Sequence, residues 1–342
     1  MLRIGFLSFG WWSAAPGSRV RTAKDVVDDT LRLAEAAEDA GMDGAWLRIH
    51  HFEQNTSSPF PLLAAMAART SRIDLGTGVI NMRYENPLYM AEAAATADLV
   101  SGGRLQLGVS RGSPEPAADG PGTFGYPLPV GVTPAEDAAE RIARFRSAIA
   151  GEGIAVPGSR AHALPGELLP IQPQSPGLRD RIWYGAGGNE SARRVGELGM
   201  HLMSSTLVAE ATGEPLPVIQ KRQMDIFRAA WRDAGHPGEP RVSISRSIMP
   251  IVDDETRTYF GPHLERDLMG ANRDQIGELD NAVSTFGKTY VGDIDKLEKE
   301  LRDDEAVMDT DTLLVTIPNQ LGADLNRTTF EAFAELRNRL SA

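Results

Sequence analysis

The sequence predicts a (β/α)8 TIM barrel with extended loops at the C-terminal face of its strands. Short β-rich runs alternate with helical patterns eight times along the 342 residues, and such alternation is typical of parallel strands joined by helices. The longest irregular sections are residues 113–176 and 253–290, and long connections in this fold usually lie on the catalytic face. We therefore expect a single domain over residues 1–342 with these two insertions. A doubly wound open sheet is the alternative architecture.

The first part of the chain contains four predicted strand and helix pairs. The strands are short apolar runs, and the helices repeat apolar residues at helical spacing and end at glycines such as Gly41 and Gly102. The predicted strands are residues 2–8, 44–49, 73–80 and 105–109, and the predicted helices are residues 22–40, 59–70, 87–100 and 133–150.

The second part repeats the same order with longer polar sections. Residues 253–290 are polar and irregular, with a partial helical pattern only. The predicted strands are residues 182–185, 202–205, 242–252 and 312–316, and the predicted helices are residues 190–198, 217–234, 293–301 and 328–340.

Composition and charge exclude several classes of protein. The chain is 42% hydrophobic and 24% charged, which is ordinary for a globular protein, and its lack of cysteine excludes disulfides and thiolate sites. A net charge of −12 disfavours nucleic acid as a partner. The apolar run at residues 1–7 is too short for a signal peptide, and no segment reaches the roughly 18 apolar residues of a membrane span. We expect a cytoplasmic protein with no membrane partner.

Residues just past the strand ends describe a pocket with aromatic walls, imidazoles and one guanidinium. The glycine-rich turn at residues 185–188 leads into a helix, where free backbone N–H groups favour an anion. Arg111 follows the fourth strand and could bond to the same anion. An ion-pair role for Arg111 and a plain structural turn are the alternative interpretations. The motif lacks the spacing of a P-loop or of a Rossmann fingerprint.

The paired histidines His50 and His51 follow the second strand. A histidine in a partly closed site donates a hydrogen bond or moves a proton near neutral pH; a structural histidine is the alternative. No metal site is expected, because no metal-ligand spacing surrounds the histidines. The six histidines are His50, His51, His162, His201, His236 and His263.

These motifs resemble the bacterial luciferase-like flavin monooxygenases. Residues 44–52 (GAWLRIHHF) look like the family's second strand with its paired histidines, and residues 73–80 (IDLGTGVI) look like its third strand. The most specific match is residues 98–112 (DLVSGGRLQLGVSRG), together with Asn86-Pro87 and Ala91-Glu92. The resemblance covers most of the chain and is densest over residues 44–112.

The resemblance implies an FMN site with named residues. It places Ser110 and Arg111 beside the flavin, with Arg111 on the phosphate, and a non-proline cis peptide between Gly78 and Val79 under the ring. His50 is similar in position to the histidine beside the reactive edge of the flavin. Gly187, Gly188 and Ser191 are the further phosphate residues that it implies, and Trp11, Trp12, Phe52 and Asn81 are the residues expected to wall the substrate pocket.

The sequence departs from the family at three places. Ile49, preceded by Arg48, stands where the family often has an acidic residue, and Ser110 stands where luciferase itself has a reactive thiol. Residues 112–123 contain no aromatic residue, so the family's substrate contacts in this segment do not carry over to this chain.

Three functional hypotheses follow. In the first, a monooxygenase uses reduced FMN, supplied by a separate flavin reductase, and O2 on a small organic substrate. In the second, a dehydrogenase or reductase on the same barrel uses a 5-deazaflavin for hydride transfer. In the third, the chain is a non-catalytic flavin-binding partner subunit. The resemblance also implies a homodimer formed through the alanine-rich helices near the second and third strands.

Overall fold

The computed structural model describes residues 1–112, 115–159, 164, 166–279 and 282–342, so His162 and parts of both predicted insertions lie outside the described residues. The strands are β1 (Arg3–Ser8), β2 (Gly44–Leu47), β3 (Asp74–Asn81), β4 (Leu105–Ser110), β5 (Ile182–Gly185), β6 (His201–Ser204), β7 (Leu207–Val208), β8 (Val242–Pro250), β9 (Gln275–Leu279), β10 (Ala282–Phe286), β11 (Thr289–Gly292) and β12 (Thr312–Ile317).

Helices follow the barrel strands along the chain. They are α1 (Ala23–Asp39), α2 (Pro59–Arg69), α3 (Pro87–Ser101), α4 (Gly120–Thr123), α5 (Pro134–Ile149), α6 (Asn189–Glu197), α7 (Leu216–Asp233), α8 (Asp254–Leu268), α9 (Ile294–Arg302), α10 (Glu305–Met308) and α11 (Gly322–Leu340). None of those in the described part of the chain is long and apolar enough to cross a membrane.

Eight parallel strands close into a barrel, which confirms the predicted fold. Each of β1 to β5 pairs with the next strand in the chain, β6 pairs with β8, β8 with β12, and β12 with β1. The closed order excludes the open, doubly wound sheet. Because all eight strands are parallel, their carboxyl ends meet at one mouth.

Segment 253–290 is more regular than its polar sequence predicts. It contains α8, the β9–β10 hairpin and the start of β11, and β10 also pairs with β7 in a separate three-stranded sheet. The partial helical pattern corresponds to α8, but the prediction of an otherwise irregular section was wrong, because the β9–β10 hairpin forms there and β10 also pairs with β7, Thr285 with Val208. α11 likewise begins at Gly322, where the carboxylate of Asp29 accepts a hydrogen bond from the Ala323 N–H at 2.8 Å.

The barrel interior is filled by a small apolar cluster near its lower end. Trp46 is 2% exposed, and a side chain at Gly5, Gly44 or Gly76 would overlap its indole ring. Glycines on three adjacent strands thus make room for one large aromatic residue, as close packing requires. The other members of this cluster are Leu7, Trp183, Met203 and Leu314.

A buried carboxylate joins the strands that carry the predicted cofactor residues. Asp98 of α3 is completely buried and accepts hydrogen bonds from the Leu105 N–H at 3.1 Å and the Ser175 hydroxyl at 2.6 Å. Arg181, directly before β5, donates to both of its oxygens at 2.7 and 2.9 Å. Asp98 therefore holds the first residue of β4 and the segment entering β5 together.

Replacing Asp98 by Asn is expected to destabilise the fold by about 3 kcal/mol, because Arg181, whose side chain is only 15% exposed, is left without its counter-charge. Urea unfolding measures this change. Asp28→Asn is the matched control, since Asp28 pairs with Lys24 on an exposed helix face and exposed pairs contribute little. Equal losses for the two variants would contradict the role given to Asp98.

Candidate functional site

The carboxyl ends of β3, β4 and β5 lie side by side at the barrel mouth. Asn81 pairs in register with Ser110, and Val109 pairs with Tyr184, which places Ser110 next to Gly185. The predicted site residues at the ends of these three strands therefore lie next to one another at the barrel mouth.

Val79 forms the floor of the mouth. The Gly78–Val79 peptide is cis, as the resemblance implies, and the register of β3 against β4 shifts between Thr77 and Ile80. The Val79 side chain packs on the interior cluster that contains Trp46. Added Cβ atoms at Gly108 and Gly185 would come within 3.0 and 3.2 Å of Val79. These glycines let Val79 pack closely against β4 and β5, because a side chain at either position would crowd it.

The turn after β5 leads into the start of α6, where backbone N–H groups converge. Gly188 is the N-cap residue with extended backbone (φ −158°). The Ser191 hydroxyl accepts from the Gly188 N–H at 3.2 Å and donates to the Gly188 carbonyl at 2.8 Å. Unpaired N–H groups at a helix start attract anions. The Gly187 carbonyl accepts from the Ala209 N–H at 2.7 Å, which fixes the other side of the turn.

Positive charge collects beside this turn. Burial raises the pKa of the Tyr184 hydroxyl, and the nearby cations Arg194 and Arg111 oppose that rise. Both guanidinium groups are exposed, and neither forms an ion pair among the described residues. Two unpaired cations and a helix N-terminus therefore surround one strand end in a protein of net charge −12.

His50 is a buried, neutral imidazole. Burial first, then the charges of Arg48 and His51, lower the pKa of His50 to about 4. Its Nδ1 atom lies 3.9 Å from a Glu115 oxygen and has no hydrogen-bond partner in the described structure. A neutral ring has one donor and one acceptor nitrogen, so His50 can hold a hydrogen bond or relay a proton without adding a charge.

Glu115 is a site residue that sequence reasoning missed. Its side chain is only 4% exposed, and burial raises the pKa of its carboxyl, although the Tyr84 hydroxyl and the His51 backbone N–H lower it. One of its oxygens has no hydrogen-bond partner in the described structure. A carboxyl in the loop after a barrel strand was the available signal, but only the fold brings it to His50.

Aromatic rings close one side of the mouth. His51 stacks on Tyr84 with ring centroids 4.1 Å apart, and Phe124 packs edge-on against both rings. Phe52 lies 5.7 Å from Phe124 and has a left-handed backbone (φ 59°), which is uncommon for a residue with a side chain. Such conformations cluster at functional sites. The paired histidines therefore differ in role, since His51 belongs to the wall.

The remaining predicted pocket residues are placed by loop contacts. Trp11 is 41% exposed and lies near Phe9, and its backbone is held by Asn319 through two hydrogen bonds. Trp12 is half-buried. The Asn81 amide oxygen accepts from the Arg83 N–H at 3.1 Å, so Asn81 supports the loop after β3.

A cavity of about 440 Å³ lies beside the three-stranded sheet. None of the predicted site residues lines it. Two of its carboxylates are compensated, because Glu214 pairs with Arg222 and Glu300 pairs with Lys296. Within the described ranges, no three histidine or carboxylate side chains come together as a metal site.

Comparison with known proteins connects this site to a family. The family model described as luciferase-like monooxygenase matches residues 7–276 of the chain. That range includes β2 to β8, the end of β1 and every strand end described above.

Curated relatives match parts of the chain. The oxygenase component of the flavin-dependent trigonelline monooxygenase of Acinetobacter baylyi is 35% identical over 95 residues, 27% of this chain and 26% of that protein. The F420-dependent glucose-6-phosphate dehydrogenase of Beutenbergia cavernae is 32% identical over 185 residues, 50% of each chain. The matches thus span between a quarter and a half of these relatives.

Solved structures match nearly the whole chain. The monooxygenase RslO1 from Streptomyces bottropensis has a TM-score of 0.72 at 21% identity, covering 97% of this chain and 98% of that one. The oxygenating constituent of 3,6-diketocamphane monooxygenase from Pseudomonas putida, solved with FMN, has a TM-score of 0.69 at 18% identity and 98% coverage of both. At these identities the likeness shows the shared fold.

The buried histidines predict a loss of stability in mild acid. Burial lowers the pKa values of His50 and His201 to about 4, below the ordinary 6.5. Between these values the unfolded chain binds protons that the folded chain does not, so the free energy of unfolding falls as the pH drops from 6.5 to 4. Each histidine contributes up to about 3 kcal/mol to this loss.

Urea unfolding at a series of pH values measures the slope, and His201→Gln is expected to make it shallower. His201 suits this test because its ring contacts the Asp180 carbonyl and the Arg241 N–H, outside the mouth. An unchanged slope in the variant would show that the acid sensitivity has another source.

Proposed function

The chain belongs to the luciferase-like monooxygenase family, and we propose that it is an FMN-dependent monooxygenase that uses O2 on a small organic substrate. The observation that carries this proposal is the register of β3, β4 and β5, which brings Ser110, Arg111 and the start of α6 to one side of the mouth. The cations and the helix start at the rim fit the phosphate of FMN.

The chain's residues divide the work of holding the cofactor. Arg111 and the backbone N–H groups of Gly187 and Gly188 would bind the phosphate through charge-assisted hydrogen bonds, with the Ser191 hydroxyl, which now accepts from the Gly188 N–H, beside them. Gly78, Val79 and Ser110 would border the ring.

His50 and the aromatic wall act on the reaction. Reduced FMN supplies the electrons that split O2, so that one oxygen atom enters the substrate and the other leaves as water. The neutral His50 ring holds a hydrogen bond at the reacting edge, and Glu115 lies behind it as a buried proton partner. Tyr84, Phe124 and Phe52 exclude water from that side of the mouth. Trp11 and Trp12 complete the wall of the substrate pocket.

A deazaflavin-dependent dehydrogenase is the second candidate function. The 32% identity to an F420-dependent glucose-6-phosphate dehydrogenase over half of each chain supports it. The same barrel mouth and anion site serve either cofactor, so the two candidates separate by cofactor preference. Tight binding of the 5-deazaflavin, with FMN bound weakly or not at all, would decide for the dehydrogenase.

The proposed partners are a flavin reductase, which delivers reduced FMN in the cytoplasm, and a second copy of the chain. Exposed apolar residues on α3 support the homodimer. Tyr89 is 74% exposed, and Leu99 and Val100 are each about half exposed, on a helix that otherwise packs against α2 and α5. Such residues commonly mark a protein contact.

Arg111→Ala is expected to weaken FMN binding by about 10- to 100-fold, because a charge-assisted bond to the phosphate is lost. Riboflavin lacks the phosphate and should bind both proteins equally. Titrating each flavin and following the quenching of its fluorescence measures both affinities. Arg193→Ala is the control, since Arg193 lies on α6, whose start takes part in the proposed site, but its guanidinium pairs with Glu190 and Glu197. Failure of the wild-type protein to bind FMN would refute the proposal.

His50→Ala should lower kcat by about 100-fold while the Kd for FMN stays nearly constant, because His50 acts on the reaction and not on the phosphate. Substrates for this assay come from a screen of aldehydes, ketones and alkanes with reduced FMN and O2. Unchanged turnover would favour the non-catalytic partner subunit or a different catalytic group.

A further inference from the structure

The start of α6 is covered by a carboxylate from another part of the chain. Glu210 accepts a hydrogen bond from the Asn189 N–H at 2.6 Å and a second from the Asn189 side-chain amide at 3.3 Å. An added Cβ atom at Gly188 would lie 3.3 Å from the same carboxylate oxygen. The Glu210 carboxylate thus occupies N–H donors at the start of α6, next to the proposed position of the FMN phosphate.

The segment that carries Glu210 is fixed on both sides. The Glu210 carbonyl accepts from the buried Thr285 hydroxyl at 2.6 Å, which ties it to β10. The preceding Ala209 N–H donates to Gly187 at 2.7 Å. These backbone contacts hold the segment close to the turn, so the carboxylate stays within reach of α6 even when its side chain turns away.

Two anions compete for the same donors at this helix start. A carboxylate at a helix N-terminus is stabilised by the backbone N–H groups and the helix dipole, as a phosphate would be. Glu210 and a phosphate placed together would also repel each other. Glu190, although in the first turn of α6, pairs with Arg193 and makes no bond to these donors among the described contacts.

We propose that Glu210 is a specificity-determining residue: its carboxylate occupies the start of α6 as an internal anion, and the cofactor's phosphate must displace it. This inference rests on the proposed function of the same site. Because each binding event breaks the Glu210–Asn189 bonds, Glu210 weakens the affinity for phosphorylated flavins and leaves unphosphorylated flavins unaffected. A weakly held flavin can exchange between this chain and a reductase.

Flavin titrations with Glu210→Gln test the proposal. The variant keeps the size of the side chain and removes its charge, and we expect the Kd for FMN to fall about tenfold while that for riboflavin stays constant. Glu210→Asp, which is one methylene shorter, should give a smaller gain. Glu190→Gln is the matched control, since it removes one negative charge from the same helix turn and should change the FMN affinity little.

The outcomes separate this inference from the proposed function. FMN affinity that is unchanged or weaker in Glu210→Gln, with the wild type binding FMN, overturns the role of Glu210 alone. An equal gain for riboflavin, or an equal gain in Glu190→Gln, also overturns it, because the effect would not come from the phosphate at this carboxylate. If neither flavin binds any of the proteins, the proposed function falls and this inference falls with it. Circular dichroism and thermal unfolding confirm that each variant is folded.

Discussion

The site depends on one buried electrostatic interaction, the pairing of Asp98 with Arg181. A fully buried carboxylate is costly unless its hydrogen bonds are satisfied, and Asp98 meets this condition with donors from β4, from Ser175 and from Arg181. Those donors belong to the start of β4 and to the segment entering β5. The register between these two strands then places Ser110 beside Gly185 at the opposite end of the barrel.

Glycines on the barrel strands determine how the large side chains of the interior pack. Glycines let Trp46 fill the lower barrel, and Gly108 and Gly185 let Val79 pack closely against β4 and β5. Cations lie near Tyr184 and the start of α6 on an otherwise acidic protein. In the proposed function, this arrangement separates the binding of charge at the rim from the chemistry at the centre.

Burial decides what His50 can do. A solvent-exposed histidine is partly protonated near neutral pH. Burial and the charge of Arg48 keep the His50 ring neutral. Glu115, the pKa of whose carboxyl is raised by burial, lies 3.9 Å from the His50 ring. A neutral imidazole beside a buried carboxyl suits proton transfer in the proposed reaction.

The sequence by itself determined the eight strand and helix pairs, because hydrophobic periodicity is a local feature. The family and the cis peptide at Gly78–Val79 were implied by the resemblance, which is carried by local motifs within residues 44–112. The sequence did not show the sheet of β7, β9 and β10, the burial of Glu115 against His50, or Glu210 on α6. These depend on contacts between residues far apart in the chain. Local patterns specify elements and their order, but the charge state and the partners of a polar side chain are decided only when folding removes water from around it.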